Sequence, residues 1–126
     1  MAAVTNRIGK GQTLLIGSFP GSGYYLHHSP EAKAFFAGLL DWAKVDRQVK
    51  CSDPKLQARL HVGEGGTYLW VVNPNRDLHS VNVTLASTLP AFAAGEDVWG
   101  GQKVTVRGRE VTTQVADRDV AVIRLR

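Results

Sequence analysis

The sequence predicts a mainly β protein, α+β overall. Its expected architecture is an antiparallel β-sandwich of about seven strands with an N-terminal strand–helix appendage. The prediction rests on a change of periodicity near Lys50. Before Lys50, one short apolar run precedes one amphipathic helical pattern. After it, short alternating runs follow one another with glycine turns between them, a pattern typical of sandwiches. We therefore divide the chain into a strand–helix segment, residues 1–48, and a β-sandwich domain, residues 49–126.

The appendage begins with an apolar strand at Thr13–Gly17, bounded by glycines and of the kind that is buried on both faces of a sheet. Phe19–Gly23 is a loop by composition. A helix start follows at Ser29, which suits the N-cap, with Pro30 at the first helical position and Glu31 in the positive first turn.

The predicted helix carries one apolar face with the spacing of a buried helix surface. The face comprises Ala32, Phe35, Phe36, Leu39, Leu40 and Ala43. One strand and one helix are too little to form a separate core. We therefore expect Leu14, Leu15, Phe35 and Leu39 to be covered by the rest of the polypeptide or by a second copy of the chain.

The sandwich strands are predicted from alternation and from the turns between them. The long irregular stretch Ala86–Gly95 is expected to cross between the two sheets. The predicted strands are Leu56–Val62, Tyr68–Val72, Ser80–Leu85, Glu96–Trp99, Lys103–Val106, Glu110–Val115 and Val120–Leu125.

Composition narrows the function classes. Fifteen basic and eleven acidic residues give a net charge of +4, but the basic residues are scattered rather than clustered, which argues against nucleic-acid binding. No apolar run is long enough for a membrane-spanning helix. The lone Cys51 excludes an intramolecular disulfide and a cysteine-rich zinc site. These features leave the compartment undetermined.

No catalytic or metal-binding constellation stands out. The acidic residues fall mostly in turns and helix caps, and the adjacent Glu96 and Asp97 would point to opposite faces of a strand, so we interpret all of them as solvated surface residues. His27 and His28 lack the spacing of two ligands on one helix face. We expect no catalytic residue, no metal and no cofactor.

Aromatic residues offer the remaining candidate site. Flat aromatic faces can stack on sugar rings, and we take Trp99, Tyr24 and Tyr25 as the candidate carbohydrate contacts, with Trp99 the best because it adjoins a glycine turn. Tyr68 and Trp70 share a strand face with Val72, which we interpret as core.

Two segments together resemble a known enzyme family. The segment Arg7–Pro20, followed by a helix, is similar to the end of the flavodoxin-like trimerisation domain of family-42-type β-galactosidases. The segments Leu56–Val62 and Gly65–Arg76 resemble the small antiparallel C-terminal domain of those and related glycoside hydrolases. Val98–Gly101 and Val120–Leu125 stand where that pattern expects a late turn and a final strand.

The resemblance implies an accessory role. In that family the catalytic glutamates lie on an upstream (β/α)8 barrel, so no catalytic residue is assigned to this chain. It implies a non-catalytic C-terminal module that serves assembly and stability, with the upstream catalytic domain or a second copy as partner. A carbohydrate-binding module is the alternative, and a free-standing small enzyme is a third possibility.

Overall fold

A computed structural model describes residues 3–126 and divides the chain into two compact units between Asp46 and Arg47. The fold is mainly β, with three antiparallel sheets and two helices in the described residues. The first unit contains, in chain order, β1 (Ala3–Ile8), β2 (Gly11–Ile16), α1 (Pro20–His27) and α2 (Pro30–Trp42).

β1 and β2 form an antiparallel hairpin in which Val4 lies opposite Leu15 and Gly9 adopts a positive φ of 59° in the turn. The sequence prediction missed β1, and its expectation that the second strand is buried on both faces is wrong. Leu15 is 72% exposed, and Leu14 is only half-buried. Burial on both faces requires a packed layer on each side of the sheet, and no residue of this two-stranded sheet is buried within residues 3–16. The strands are antiparallel, whereas those of a flavodoxin-like sheet are parallel.

The helices show one error and one success of the sequence prediction. The predicted loop at Phe19–Gly23 is wrong beyond Phe19, because α1 starts at Pro20, a residue suited to the first helical position. α1 ends at His27, and its C-cap residue His28 adopts a left-handed conformation with φ 48°. The predicted start of α2 is confirmed: the Ser29 Oγ accepts a hydrogen bond of 3.2 Å from the Ala32 backbone N–H.

The second unit is a β-sandwich of eight strands, one more than the sequence predicts, because the short first strand was missed. One sheet has the order β4-β5-β10-β7 and the other β3-β6-β9-β8. The strands are β3 (Val49–Cys51), β4 (Gln57–Gly63), β5 (Gly66–Val72), β6 (His79–Leu85), β7 (Gly95–Asp97), β8 (Thr105–Arg107), β9 (Glu110–Val115) and β10 (Val120–Leu125).

Both sheets contribute to one core. Leu69, Val71 and Ile123 from the first sheet pack in a buried cluster with Val81 and other valines of the second. The link between β6 and β7 joins the two sheets, as the sequence predicts for Ala86–Gly95. The alternation of buried and exposed residues along β6 and β9 is the pattern expected when each sheet has one face in the core and one in solvent.

Candidate binding surfaces

Trp99, the leading candidate from the sequence, lies in an exposed loop that a buried carboxylate holds in place. Its side chain is 71% exposed, whereas Asp97 is 6% exposed. Asp97 accepts hydrogen bonds from three backbone N–H groups, those of Trp99 (3.1 Å), Gln102 (3.0 Å) and Val122 (3.0 Å). The interpretation of Asp97 as a solvated residue is therefore wrong. A carboxylate with several backbone donors can be buried because its charge is satisfied locally.

The other two candidates, Tyr24 and Tyr25, lie on α1 in the first unit. Tyr25 is 77% exposed. Tyr24 is half-buried and makes edge-on ring contacts with His28 and Phe36, at centroid distances of 5.6 and 6.0 Å. Trp99 belongs to the second unit, whereas Tyr24 and Tyr25 belong to the first. Tyr24 acts as a packing residue within its unit.

The outer face of the β4-β5-β10-β7 sheet carries aromatic residues that the sequence analysis placed in the core. Leu69 and Val71 are fully buried, so Tyr68, Trp70 and Val72 point to the opposite face. Trp70 is 39% and Val72 38% exposed. The prediction that Tyr68, Trp70 and Val72 face the core is therefore wrong. A shift of one residue along a strand exchanges its two faces, and the other alternate set, Leu69 and Val71, faces the core.

Trp70 lies at the centre of this face. In register, Arg59 of β4 lies opposite it on one side and Val122 of β10 on the other. The ring of His61 lies 5.9 Å from the Trp70 ring, tilted by 55°. Together with Gln57 and Val72, these side chains line a cleft of about 340 Å³, which we call the Trp70 cleft.

The charge of the Trp70 cleft is uniform in sign. Among its lining residues Arg59 carries a positive charge, and none is acidic. Arg59 is exposed, and its side chain has no hydrogen-bond or ion-pair partner within residues 3–126. An unpaired guanidinium beside an exposed indole leaves both a charged donor and an apolar ring surface open to a ligand.

The outer face of the other sheet differs in character. Asn82, Thr84 and Thr112 are exposed there and join the Glu110 carboxylate in a hydrogen-bond network, with Asn82 Nδ2 donating to Glu110 Oε2 at 2.8 Å. These polar groups satisfy one another and present no exposed aromatic ring. This face therefore offers less to a ligand than the Trp70 cleft does.

A histidine between two carboxylates connects two loops of the sandwich. His79 Nδ1 lies 2.5 Å from Asp53 Oδ2, and its Nε2 lies 3.2 Å from Asp77 Oδ1 without the geometry of a hydrogen bond. The hydrogen bond to Asp53 raises the pKa of His79, and partial burial opposes this effect. The pKa of Asp53 is lowered, chiefly by the Lys55 backbone N–H at 2.9 Å and further by His79.

The side-chain contacts of His79 within residues 3–126 are with two carboxylates. Within residues 3–126, no side-chain thiol or hydroxyl group hydrogen-bonds to His79, and no group of three His, Cys, Asp or Glu side chains could hold a metal ion. The cluster ties the β3–β4 link to the β5–β6 link, a structural role. The sequence signal that could have found it is the pair Asp77 and His79 at the entry to β6.

Two clefts lie in the first unit. One, of about 610 Å³, is lined largely by apolar atoms and includes Ile16, Tyr24 and Phe35. The other, of about 580 Å³, is lined by Trp42 and by basic residues of the hairpin turn and of the end of α2. Because the first cleft is apolar and open, it is suited to contact with another apolar surface rather than to chemistry.

Comparison with protein-family models, curated proteins and solved structures finds no match to this chain. Neither helix of the described residues has the length and apolarity needed to cross a membrane.

Proposed function

We propose that the chain is a non-catalytic accessory module of a glycoside hydrolase, resembling the C-terminal part of family-42-type β-galactosidases, and that it serves the assembly and stability of that enzyme. The observation that supports the assembly role is the exposed apolar surface of the first unit. Leu15, Phe19 and Leu26 are 72%, 89% and 68% exposed, and neither helix contains a buried residue.

Exposed apolar side chains of this kind favour association, because each square ångström removed from water is worth about 25 cal/mol. The open apolar cleft at Ile16, Tyr24 and Phe35 provides a concave surface that a partner protein could occupy. The partner is a second copy of the chain or the catalytic domain of the parent enzyme. The sandwich, with its own core, supplies the stable part of the module.

Sedimentation velocity at tens of micromolar tests the assembly role. We expect the 13.7 kDa chain to sediment as an oligomer, and Leu15→Ser to shift it toward the monomer. Leu78→Ser is the matched control, since Leu78 is also exposed, at 59%, but belongs to the second unit. A wild-type chain that stays monomeric contradicts a second copy of the chain as the partner, and a control that dissociates the oligomer equally contradicts the role of the first unit.

The second candidate function is carbohydrate binding at Trp99. The observation that favours it is the exposed indole on a loop fixed by three hydrogen bonds to Asp97, since a preorganised ring loses little entropy on binding. Titration with galactosides and plant polysaccharides tests it. We expect a response that Trp99→Ala removes, and silence across the panel contradicts the idea. Turnover of chromogenic glycosides by the purified chain would instead support the free-standing enzyme.

A further inference from the structure

We propose that the Trp70 cleft binds a saccharide that carries a carboxylate, such as a uronic acid unit. This site is distinct from Trp99 and does not rest on the assembly role of the first unit. It was not foreseen from the sequence, because Trp70 was placed in the core.

The first step of the argument concerns the ring. Trp70 is 39% exposed in the middle of a sheet face, flanked in register by Arg59 and Val122. Val122 lies on the same face and is only 5% exposed, so the protein itself covers the sheet surface on that side of the indole. An indole held among neighbouring strands offers a rigid apolar plane at low entropic cost, and such a plane suits the C–H face of a pyranose ring.

The second step concerns size. The cleft of about 340 Å³ lies at the lower end of the range of roughly 300–1,000 Å³ that small-molecule sites occupy. It is therefore suited to one or two small rings rather than to a folded protein. Planar hydrogen-bonding groups line it, namely the amide of Gln57, the guanidinium of Arg59 and the imidazole of His61. These groups can pair with hydroxyl and carboxylate oxygens.

The third step concerns charge. The Arg59 side chain has no hydrogen-bond or ion-pair partner within residues 3–126, and no acidic residue lines the cleft. A guanidinium recognises a carboxylate through two parallel hydrogen bonds, which a neutral sugar cannot supply. Charge complementarity thus selects an acidic saccharide over a neutral one.

The test is a titration of the full chain with an oligogalacturonate, followed by the indole N–H signals in NMR. A neutral galacto-oligosaccharide of the same length and a glutamate peptide serve as comparison ligands. We expect the oligogalacturonate to shift the Trp70 signal and to bind more weakly as salt is raised, because the contact is an exposed charge pair. The neutral sugar should bind at least about 10-fold more weakly, since one charged hydrogen bond is worth that much.

Variants identify the residues responsible. Arg59→Gln should weaken oligogalacturonate binding about 10- to 100-fold and remove most of the preference over the neutral sugar. Arg107→Gln is the matched control, because Arg107 is an exposed arginine on the other sheet, and it should leave the affinity unchanged. Trp70→Leu should abolish binding of both sugars, whereas Trp99→Ala should not affect binding at this cleft. Far-UV circular dichroism checks that each variant is folded.

Several outcomes overturn the proposal. Absence of binding to the oligogalacturonate does so directly. Equal binding of the neutral sugar removes the role of Arg59, and equal binding of the glutamate peptide removes the assignment to a saccharide. If Arg59→Gln and Arg107→Gln lose oligogalacturonate affinity equally, the ligand is attracted by the net positive charge of the protein and not by a defined site. If Trp70→Leu is unfolded, an unshifted Trp70 signal in the wild-type titration still refutes the site.

Discussion

The two units of the chain form regular secondary structure equally well, but only one of them has an interior. In residues 3–46 the hairpin and both helices are hydrogen-bonded, yet none of these residues is buried. In residues 47–126 a cluster of twelve buried apolar residues lies between two sheets. This difference follows from a general rule: hydrogen-bonded elements become a stable domain only when a second layer covers their apolar faces. Substitutions in the second unit should therefore be costly, and similar ones in the first should not.

The largest effect is expected at Asn73, a side chain that is 1% exposed. Its Nδ2 donates to the backbone carbonyls of Asp77 (2.7 Å), Val115 (3.2 Å) and Ala116 (2.7 Å). Asn73→Asp keeps the shape but places a carboxylate against these acceptors. We expect it to lower the free energy of unfolding by about 3–5 kcal/mol, as for an uncompensated buried charge. Urea denaturation followed by circular dichroism measures the change.

The control for Asn73→Asp is Gln114→Glu, the same chemical change at an exposed amide of the same unit. It should alter the free energy of unfolding by less than about 0.5 kcal/mol. If both variants lose similar stability, the effect comes from net charge and the buried amide network has no special role.

The second prediction compares the same substitution in the two units. Leu69→Ala empties a fully buried position in the sandwich core and should cost about 2–5 kcal/mol. Leu15→Ala, at a side chain that is 72% exposed, should cost less than about 0.5 kcal/mol when measured in monomeric protein. Denaturant titrations of both variants at low protein concentration measure the difference. A large cost for Leu15→Ala would show that the first unit is covered in solution.

The sequence was sufficient to predict most of the sandwich, because alternation and glycine turns are local signals. β9 and β10 have the predicted bounds, and the crossing between the sheets is confirmed. β1 and β3 were missed for different reasons. β1 mixes Thr5, Asn6 and Arg7 with few apolar residues, and β3 has only three residues, so neither gives a clear period.

The candidate site was harder to predict than the fold. The run Tyr68–Val72 is apolar throughout, so periodicity does not say which alternate set faces the core. That choice depends on the register with β4 and β10, which is a tertiary property. The burial of Asp97 likewise depends on Val122, distant in sequence, which supplies one of its three donors. Contacts of this kind leave no mark in local composition.

The third prediction concerns close packing at Gly95, where β7 begins. A Cβ atom there would lie 2.8 Å from Val106 Cγ2 and 3.1 Å from Ile123 Cγ2. Gly95→Ala should therefore overpack the sandwich and lower its free energy of unfolding by about 1–3 kcal/mol. Gly63→Ala, where a Cβ atom meets open space, is the control and should be nearly neutral. Equal thermal unfolding midpoints for wild type and Gly95→Ala would contradict the expectation.

The smallest effect is a pH dependence from the pair His79 and Asp53. The pKa of His79 is raised above its ordinary value of 6.5, so its contribution to stability is fully present below that value and is lost as the pH rises through the folded-state pKa. The pKa of Asp53 is lowered from 3.8, so its contribution is present above that value and is lost as the pH falls through the folded-state pKa. The pair should therefore stabilise the sandwich most between these two ordinary values.

This window can be tested by comparing wild type with His79→Gln in denaturant titrations from about pH 5 to about pH 9. The stability difference between them should be largest near the acidic end and should shrink as the pH rises, because only the wild type loses a favourable charge. A constant difference between wild type and His79→Gln would mean that His79 acts by packing alone, and that the two loops it joins are held without its charge.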